Sequence, residues 1–413
     1  MIVRTKYLNT IVDGFRVVPI VVLIGARQVG KTSLMESIEL KGEKVFFNGQ
    51  NPEIAELFQK FSVIEQYLKS YLNKNLKGYL LIDEFQYISG ISTMMKLLTD
   101  KYSSLRILCS GSSSLKIFQE VEESLAGRVR TIEVSSLSFE EYILFKDEKL
   151  HQLYRSFDEN TESSALTVQI SNLFSEFLIY GGLPRAALLA APEDKVAVLD
   201  DIYTTYLLKD VRNYIENEYI VGFNKMLRIL ALQIGNMVNI NSISVETGVP
   251  YKKCEEYIYL LEQMYIIKMI EPYEANRRKS ITKMKKVFFF DTGLRNMIVK
   301  NFNDMDFRVD NGAIFENYVM LELWRNKSAG GTVHFFRTSD GVEVDFVLNN
   351  LMEKIAVECK CKTMTKPVSL AAFNRFCDDE NIQKRYIVNK NLNTTYNGVK
   401  FIQGFLTNSI GQK

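Results

Sequence analysis

One short segment near the amino terminus limits the possible folds of this chain more than any other feature. The apolar run 17–24 is β-branched and stops at Gly25, as expected of a buried strand that leads into a turn. The segment that follows, Gly25-Ala26-Arg27-Gln28-Val29-Gly30-Lys31-Thr32, places glycines where a backbone must curl around oxygen atoms, and then adds a lysine and a hydroxyl. This pattern predicts a strand, a phosphate-binding loop, and a helix that opens near Gly30 with its amino end towards a triphosphate.

Two further apolar runs predict strands of the same sheet. Residues 79–82 end in Asp83 and Glu84, and residues 105–109 end in a serine-rich stretch that starts at Ser110. Helical patterns separate these runs, and polar residues at strand ends are typical of open α/β sheets that bind ligands there. Residues 1–150 are therefore predicted to form a doubly wound parallel α/β sheet of the P-loop NTPase class.

The residues at these strand ends are assigned to ATP and Mg²⁺. The nucleotide-binding set is the loop with the residue after it: Gly25, Ala26, Arg27, Gln28, Val29, Gly30, Lys31, Thr32 and Ser33. Lys31 is expected to reach the outer phosphates and to take part in catalysis, while Thr32 and Asp83 hold the metal. Glu84 is placed to polarise the attacking water, so the site is expected to hydrolyse ATP.

Two other groups of residues have competing interpretations. Ser110 and Ser112 either orient the water or the outer phosphate, or belong to an ordinary serine-rich loop. Phosphoryl transfer also needs positive charge on its transition state, often from an arginine of a neighbouring subunit. Arg128 is the candidate, with Arg130 in reserve, and an ordinary surface arginine is the alternative. The first interpretation of Arg128 implies a homo-oligomer, or a partner protein that supplies or receives the arginine.

Length and composition indicate a folded chain of several domains. At 413 residues it exceeds the size at which a single core stops growing. Hydrophobic residues make up 46% and charged residues 24%, and a net charge of +2 requires no nucleic-acid partner. Five scattered cysteines lack the spacing of a disulfide framework or a zinc site, which favours the reducing cytoplasm. No apolar run is long enough to predict a membrane span.

Three further units are predicted after the sheet. Residues 160–219 have a helical pattern, broken at 180–185 by adjacent glycines and a proline, and are assigned to a helical lid. Residues 220–275 show the order helix, short helix, glycine turn, helix and strand, which is typical of a winged helix-turn-helix. Residues 287–413 combine a helix, three strands, a helix and a strand, an αβββαβ order.

Two segments are candidates for contact with DNA phosphates. The presumed recognition helix carries Lys252 and Lys253 but also Glu255 and Glu256, so packing between domains is the favoured role. The basic stretch 277–286 is the better candidate, and a solvated wing or linker is its alternative.

Strand alternation brings acidic residues together in the last unit. Asp345 shares a strand face with Glu343, and Glu358 shares a face of the next strand with Lys360. Asp345 and Glu358 are expected to bind one Mg²⁺ and act in catalysis, while Lys360 positions or activates a water. Glu316, a carboxylate on an otherwise apolar helix face, is expected to complete this metal site. A solvated polar face of the sheet is the alternative.

These motifs resemble those of the bacterial and archaeal AAA-type ATPases that carry a carboxy-terminal domain of unknown function with a nuclease-like fold. The segments that carry the resemblance are 25–32, 81–86, 125–128, 137–141, 181–184, 290–294 and the acidic cluster. The resemblance implies an ATP-dependent switch or a machine that acts on DNA. In related signalling ATPases a Gly-x-Pro of the lid approaches the nucleotide base, which by similarity assigns Gly182 and Pro184 to nucleotide binding. A helix break is the alternative for both.

The last acidic residues also resemble the PD-(D/E)XK nuclease motif. Glu358-Cys359-Lys360 is similar to its second half and Asp345 to its first, although a valine rather than a proline precedes Asp345. The resemblance implies a restriction-endonuclease-like domain, either active or with its activity lost.

The leading hypothesis from the sequence is an ATPase that couples hydrolysis of ATP with Mg²⁺ to DNA binding or processing through a metal-dependent, nuclease-like carboxy-terminal domain. The alternative is a nucleotide-gated switch that binds a protein partner and has an inactive nuclease-like domain.

Overall fold

The computed structural model describes residues 4–111, 124–157, 165–273, 284–338 and 341–411. The chain divides into two compact units, Met1–Ser136 with Gln263–Tyr265 and Leu137–Glu262 with Ile266–Lys413.

The first unit is a parallel sheet with intervening helices. Its elements in chain order are α1 (Thr5–Val17), β1 (Ile20–Ile24), α2 (Lys31–Ser37), β2 (Lys44–Asn48), α3 (Pro52–Leu57), α4 (Phe61–Tyr71), β3 (Gly78–Asp83), a 3-10 turn (Phe85–Tyr87), α5 (Ile91–Lys101), β4 (Leu105–Ser110) and β5 (Val129–Glu133). The strands lie in the order β2-β3-β4-β1-β5 and pair in parallel. The predicted parallel α/β sheet is confirmed.

Burial explains why these apolar runs form the central strands. All five residues of β1 are buried, and β3 and β4 each have a single half-buried position, so apolar side chains fill both faces of the sheet. The edge strand β2 instead alternates exposed and buried residues. Helices α4 and α5 contribute fully buried side chains such as Leu68 and Leu98 to the same core. Each such leucine stabilises the fold by about 1.5–3 kcal/mol.

The register of the strands aligns their carboxyl ends at one edge of the sheet. Leu23 of β1 lies opposite Ser110 of β4, and Ile82 of β3 lies opposite Cys109. Strand β4 therefore separates β1 from β3, and the residues that follow these two strands emerge on either side of Ser110.

The second unit begins with helices. They are α6 (Phe139–Lys146), α7 (Glu148–Arg155), α8 (Ala165–Tyr180), α9 (Pro184–Ala187), α10 (Pro192–Ile202), a π-helix (Tyr203–Asp210) and 3-10 turns at Val211–Tyr214 and Asn217–Tyr219. The predicted helix break is present after Tyr180. Gly181 has φ 74°, and a β-carbon there would lie 2.2 Å from Oδ1 of Asp291, so only glycine fits. The assignment of these helices to a lid stays a prediction.

Three helices and a two-stranded antiparallel sheet follow. They are α11 (Ile220–Leu232), α12 (Ile240–Thr247), α13 (Tyr251–Gln263), β6 (Ile267–Ile270) and β7 (Lys286–Phe289), after which comes α14 (Thr292–Val299). Asn239 caps the start of α12, and Gly248 ends it with φ 72°. This is the element order expected for a winged helix, an identity that stays a prediction. Since β7 pairs with β6, the boundary predicted at residue 287 falls inside a strand of this small sheet.

The carboxy-terminal part of the second unit contains a mixed sheet. Its elements are α15 (Asn311–Asn326), β8 (Thr332–Arg337), β9 (Glu343–Asn349), β10 (Lys354–Lys360), α16 (Ala371–Asp379), β11 (Lys384–Asn389), β12 (Thr394–Tyr396), β13 (Val399–Gln403) and a 3-10 turn (Gly404–Ser409). The strand order is β12-β13-β11-β10-β9-β8, and β11 pairs in parallel with both β10 and β13. The αβββαβ order is present and is extended by β12 and β13. The likeness to restriction endonucleases stays a prediction.

Candidate functional site

The loop between β1 and α2 has a backbone that requires glycine at two positions. At Gly25, φ is 145°, and a β-carbon would lie 2.1 Å from the carbonyl oxygen of Val134. At Gly30, φ is 94°, and this residue is the N-cap of α2. Gln28 also lies in the left-handed region, at 63°. The loop is therefore tightly curled, and its N–H groups and the start of α2 are suited to an anion.

Arg4, just before α1, anchors this loop to the end of β5. Its side chain is buried, and the guanidinium donates hydrogen bonds to the carbonyl oxygens of Val29 at 3.1 Å, Ser135 at 3.0 Å and Ser136 at 3.4 Å. Sequence reasoning missed Arg4, because a single arginine ahead of a helix belongs to no motif. It fixes the position of the loop and is not placed to react.

Lys31 is the buried cation of the loop. It is 6% exposed, and its Nζ donates to the carbonyl oxygens of Gly25 at 2.9 Å and Ala26 at 2.7 Å. Burial lowers the pKa of Lys31 to about 8, although the nearby Glu84 and Asp83 carboxylates oppose this. The ammonium therefore gains from any added negative charge, as a phosphate would bring.

Asp83 at the end of β3 is bound to both neighbouring elements. Its side chain is buried; one carboxylate oxygen accepts a hydrogen bond from Oγ1 of Thr32 at 2.7 Å, and the other accepts one from Oγ of Ser110. A hydroxyl of the glycine loop and a carboxylate of another strand are thus adjacent. Oxygen atoms of these two kinds are the ligands that Mg²⁺ takes in nucleotide sites, so the residues fit the metal assigned to them.

Glu84 follows Asp83 in a strained backbone conformation. Its φ is 51°, in the left-handed region that glutamate rarely adopts, and such outliers cluster at functional sites. The side-chain amide of Gln86 donates a hydrogen bond to the Glu84 carboxylate. Sequence reasoning missed Gln86, although its position two residues after Glu84 in a tight turn is a usable signal. The carboxylate of Glu84 is thereby held in one orientation.

Other predicted residues of the nucleotide site lie elsewhere or outside the described ranges. Ser33 is exposed on α2, and Ser112 is not among the described residues. Arg128 precedes β5, and its carbonyl accepts from Ile20 N–H at the amino end of β1, which is the sheet edge opposite the loop. Pro184 is the first residue of α9 in the second unit. Its approach to a nucleotide base stays a prediction.

The position of Arg128 restricts the role predicted for it. Its guanidinium pairs with Asp100 at 2.7 Å, and about 13 Å of strand separates the two ends of β1. Arg128 can therefore serve only the nucleotide of another copy or partner, and that role stays a prediction. Arg130 lies two residues further along, on β5, and its side chain is exposed.

A second group of charged residues lies where β7, α15 and β9 meet, and Lys286 is at its centre. Lys286 is 3% exposed, and its Nζ lies 3.1 Å from Oε1 of Glu316 and 2.6 Å from Oε1 of Glu343. Burial disfavours the charge on Lys286, but attraction to Glu316 and the hydrogen bond to Glu343 more than offset this, and its pKa is raised. Sequence reasoning placed Lys286 only at the end of a basic stretch, of which 277–283 fall outside the described residues.

The remaining acidic residues are on neighbouring strands. Oδ2 of Asp345 accepts from the backbone N–H of Cys359 at 2.7 Å, and Nζ of Lys360 donates to Oε1 of Glu358 at 2.6 Å. Burial raises the pKa of Asp345, and burial together with the negative charge of Asp345 raises the pKa of Glu358 to about 7. The predicted juxtaposition of Asp345, Glu358 and Lys360 is thus present in the sheet.

Glu316 was predicted to complete a metal site with Asp345 and Glu358, but in the structure its carboxylate is paired with Lys286. Burial raises the pKa of Glu316 to about 8, against the effect of Lys286, which holds the carboxylate. Over the described ranges, no group of three or more His, Cys, Asp or Glu side chains is arranged to hold a metal ion. The ammonium of Lys286, rather than a set of three carboxylates, organises this part of the cluster.

No helix in the described part of the chain has the length and apolar character needed to cross a membrane.

Comparison with protein-family models divides the chain into three parts. Residues 18–143 match the model of the AAA domain, which supports an AAA-type P-loop ATPase domain here. Residues 171–305 match a domain of unknown function, DUF8612, and residues 311–403 match another, DUF4143. The carboxy-terminal match thus carries no activity with it.

Three relatives are similar to this chain over most of its length. An uncharacterized protein of Haemophilus influenzae is 26% identical over 382 residues, 87% of this chain and 86% of the relative. Uncharacterized proteins of Mycobacterium tuberculosis and Methanocaldococcus jannaschii are each 24% identical, over 85% and 84% of this chain and 72% and 76% of theirs.

Among solved structures, a Walker-type ATPase of Pyrococcus abyssi is similar with a TM-score of 0.48 and 15% identity, covering 72% of this chain and 96% of that one. A signal transduction ATPase with numerous domains from Pyrococcus horikoshii has a TM-score of 0.32 and 12% identity, over 79% of this chain and 46% of that one. Likeness at this level supports no assignment of a substrate or a partner.

Proposed function

We propose that the first unit binds ATP with Mg²⁺ and hydrolyses the terminal phosphate. The observation that carries the proposal is the hydrogen bond of Thr32 to Asp83, because it joins the glycine loop to an acidic strand end across the intervening strand β4. The match of residues 18–143 to the AAA domain supports the same class of activity.

The residues of the loop would bind the triphosphate. The N–H groups of the curled backbone would donate to phosphate oxygens, and the Lys31 ammonium, which now donates to the carbonyl oxygens of Gly25 and Ala26, would donate to phosphate oxygens instead. Thr32 and Asp83 would hold Mg²⁺, which when bound supplies positive charge to the phosphates. Ser110 keeps the Asp83 carboxylate oriented through its hydrogen bond.

Glu84 would act on the attacking water. Its carboxylate is partly buried beside Asp83, and the amide of Gln86 fixes its orientation. A carboxylate so placed can accept a proton from water, which general-base catalysis requires. Because Asp83 is already engaged by two hydroxyls, Glu84 is the carboxylate left for this task.

Replacement of Glu84 with glutamine tests the hydrolytic part of the proposal. We expect Glu84→Gln to retain ATP binding and to lose at least about 100-fold in kcat, because the amide cannot accept the proton. Phosphate release and the affinity for a fluorescent ATP analogue are the two measurements. Glu36→Gln, on the exposed face of α2, is the matched control and should behave as wild type.

Equal turnover in Glu84→Gln and wild type would remove Glu84 from the mechanism. If the wild-type protein binds ATP tightly but shows no turnover, the nucleotide-gated switch replaces the hydrolase as the proposed function.

For the carboxy-terminal sheet we propose metal-dependent cleavage of DNA as a second candidate function. What supports it is the position of Asp345 and Glu358 on adjacent strands, with Lys360 hydrogen-bonded to Glu358. Two carboxylates and a lysine arranged in this way can hold a divalent ion and position a water. Coupling of this activity to the ATP cycle is part of the same proposal.

A plasmid-nicking assay with Mn²⁺ or Mg²⁺ tests this second candidate. We expect slow conversion of supercoiled to open circular DNA by the wild-type protein and at least about a tenfold loss in Asp345→Asn, because the metal loses a charged ligand. Asp378→Asn, an exposed aspartate on α16, is the control. If wild type and Asp345→Asn nick DNA equally, the activity is a contaminant, and if neither does so, the sheet has no such activity.

A further inference from the structure

The acidic cluster of the second unit contains a cation supplied by the chain itself. Lys286 is almost fully buried, and its ammonium lies between the carboxylates of Glu316 and Glu343, at 3.1 Å and 2.6 Å. The ammonium also lies 5.3 Å from the centre of the aromatic ring of Phe335 on β8, in the range of a cation–π contact. Three elements, β7, α15 and β9, are therefore tied together through one lysine.

The backbone of Lys286 is fixed at both edges. It pairs with Ile270 in the small sheet of β6 and β7, and it forms a bridge with Met237 on the other side. Only the side chain can move without the loss of these pairings. Since the side chain ends in the cluster, the ammonium is a built-in counter-ion and not a surface charge that happens to lie nearby.

The neighbouring half of the cluster has capacity for another cation. Glu358 is 9% exposed, and its Oε2 has no hydrogen-bond partner among the residues that the structure describes. Asp345, across the strand pair, lies within electrostatic reach of both Glu358 and Lys286. A buried carboxylate oxygen without a donor is costly, and a cation at this place would offset that cost.

We infer that Lys286 occupies the cation position of the carboxylate cluster and competes with a divalent ion for it. A divalent ion bound by Asp345 and Glu358 would lie close to the ammonium and would be repelled by it, and Glu316 cannot turn to such an ion while it is paired with Lys286. The ion enters when Lys286 releases Glu316 and Glu343. The carboxy-terminal sheet is thus held in a metal-poor state by a residue of β7, and this holds whether or not the first unit hydrolyses ATP.

The test is the affinity of the nucleotide-free full chain for Mn²⁺, measured by electron paramagnetic resonance of the free ion. Lys286→Met keeps the length and apolar stem of the side chain and removes the charge. We expect it to bind Mn²⁺ at least tenfold more tightly than wild type, and we expect the gain to disappear when Asp345→Asn is added. Lys285→Met is the matched control, because Lys285 is half-exposed and pairs with Glu271, away from the cluster, and it should leave the affinity unchanged.

Two results would overturn the inference: a folded Lys286→Met that binds Mn²⁺ no more tightly than wild type, or a gain in affinity that survives the addition of Asp345→Asn. If Lys286→Met fails to fold because Glu316 and Glu343 are left without their cation, the double variant Lys286→Met with Glu343→Gln removes charge from both sides of the ion pair. This double variant retains Glu316, Asp345 and Glu358. Tighter binding of Mn²⁺ than in wild type would support the inference, and unchanged affinity would overturn it.

Discussion

Replacement of Lys31 with alanine is expected to abolish ATP hydrolysis, with kcat/KM reduced at least about 1000-fold. Lys31 is the buried cation of the glycine loop, and no other lysine is positioned by that loop. Burial lowers the pKa of Lys31 to about 8, which means that the charged ammonium is destabilised in the folded site as long as no further negative charge is nearby. The triphosphate supplies that charge, and alanine would lose both the binding of the phosphates and the stabilisation of charge that develops as the terminal phosphate leaves.

The loss should not come from unfolding. The folded-state pKa of Lys31 lies below the ordinary value of 10.5, so the folded chain releases a proton between pH 8 and 10.5 that the unfolded chain still binds. This group therefore opposes folding at neutral pH, and its removal should leave the melting temperature unchanged or slightly raised. Phosphate release by Lys31→Ala is compared with that of the control variant Lys74→Ala, because Lys74 is an exposed residue in the turn before β3. Turnover of Lys31→Ala at the wild-type rate would contradict the assignment of the nucleotide site.

Lys31→Ala copies also test the proposed role of Arg128 in a neighbouring copy. Arg128 lies at the sheet edge opposite the loop, so it can reach only another copy's nucleotide. An inactive Arg128→Ala protein mixed with Lys31→Ala should regain turnover, because mixed pairs contain one site with an intact loop facing an intact arginine. If Arg128→Ala alone hydrolyses ATP normally, the pairing with Asp100 is its whole role.

The sequence predicts those parts of the candidate sites whose geometry is local or follows from a regular repeat. Gly25 and Lys31 belong to one loop, and Asp83 reaches that loop because the carboxyl ends of parallel strands share an edge. Strand alternation places Glu358 and Lys360 on one face, and they form a hydrogen bond there. In both cases a short-range pattern implies the contact.

Contacts between distant segments were not predictable in this way. Arg4 binds Val29 and Ser135, which are 25 and 131 residues away, and no periodicity links an isolated arginine to either. In the sequence, Lys286 is one of several basic residues in a charged stretch. Only the packing of β7 against α15 and β9 shows that it is buried among carboxylates. A lone charge acquires its role from its three-dimensional partners, and these depend on how the elements pack.

Replacement of Asp310 with asparagine is expected to destabilise the second unit by about 3–5 kcal/mol, because it removes the negative charge shared by two buried arginines and one of the two oxygens that accept from them. Asp310 accepts from Nη1 of Arg295 at 2.5 Å and from Nε and Nη2 of Arg308 at 2.9 Å and 3.0 Å. Arg295 is 1% and Arg308 4% exposed, so neither can turn to water when the carboxylate is lost. Asp310 also occupies the N-cap position of α15, where its side chain makes no capping hydrogen bond, so the expected loss comes from the arginines alone.

The measurement is urea unfolding followed by the fluorescence of Trp324, the single tryptophan, which lies on α15 itself. Asp306→Asn is the matched control, because Asp306 forms a largely exposed ion pair with Lys390 at 2.8 Å, and its loss should cost less than about 1 kcal/mol.

Burial opposes the ionisation of Asp310, but hydrogen bonds from Arg308 and Arg295 more than offset it and lower its pKa from 3.8 to about 2. The carboxylate thus stabilises the fold above pH 3.8, and the difference between wild type and Asp310→Asn should shrink as the pH falls towards 2. A difference that stays constant over that range, or a variant as stable as Asp306→Asn, would show that the arginines do not depend on this charge.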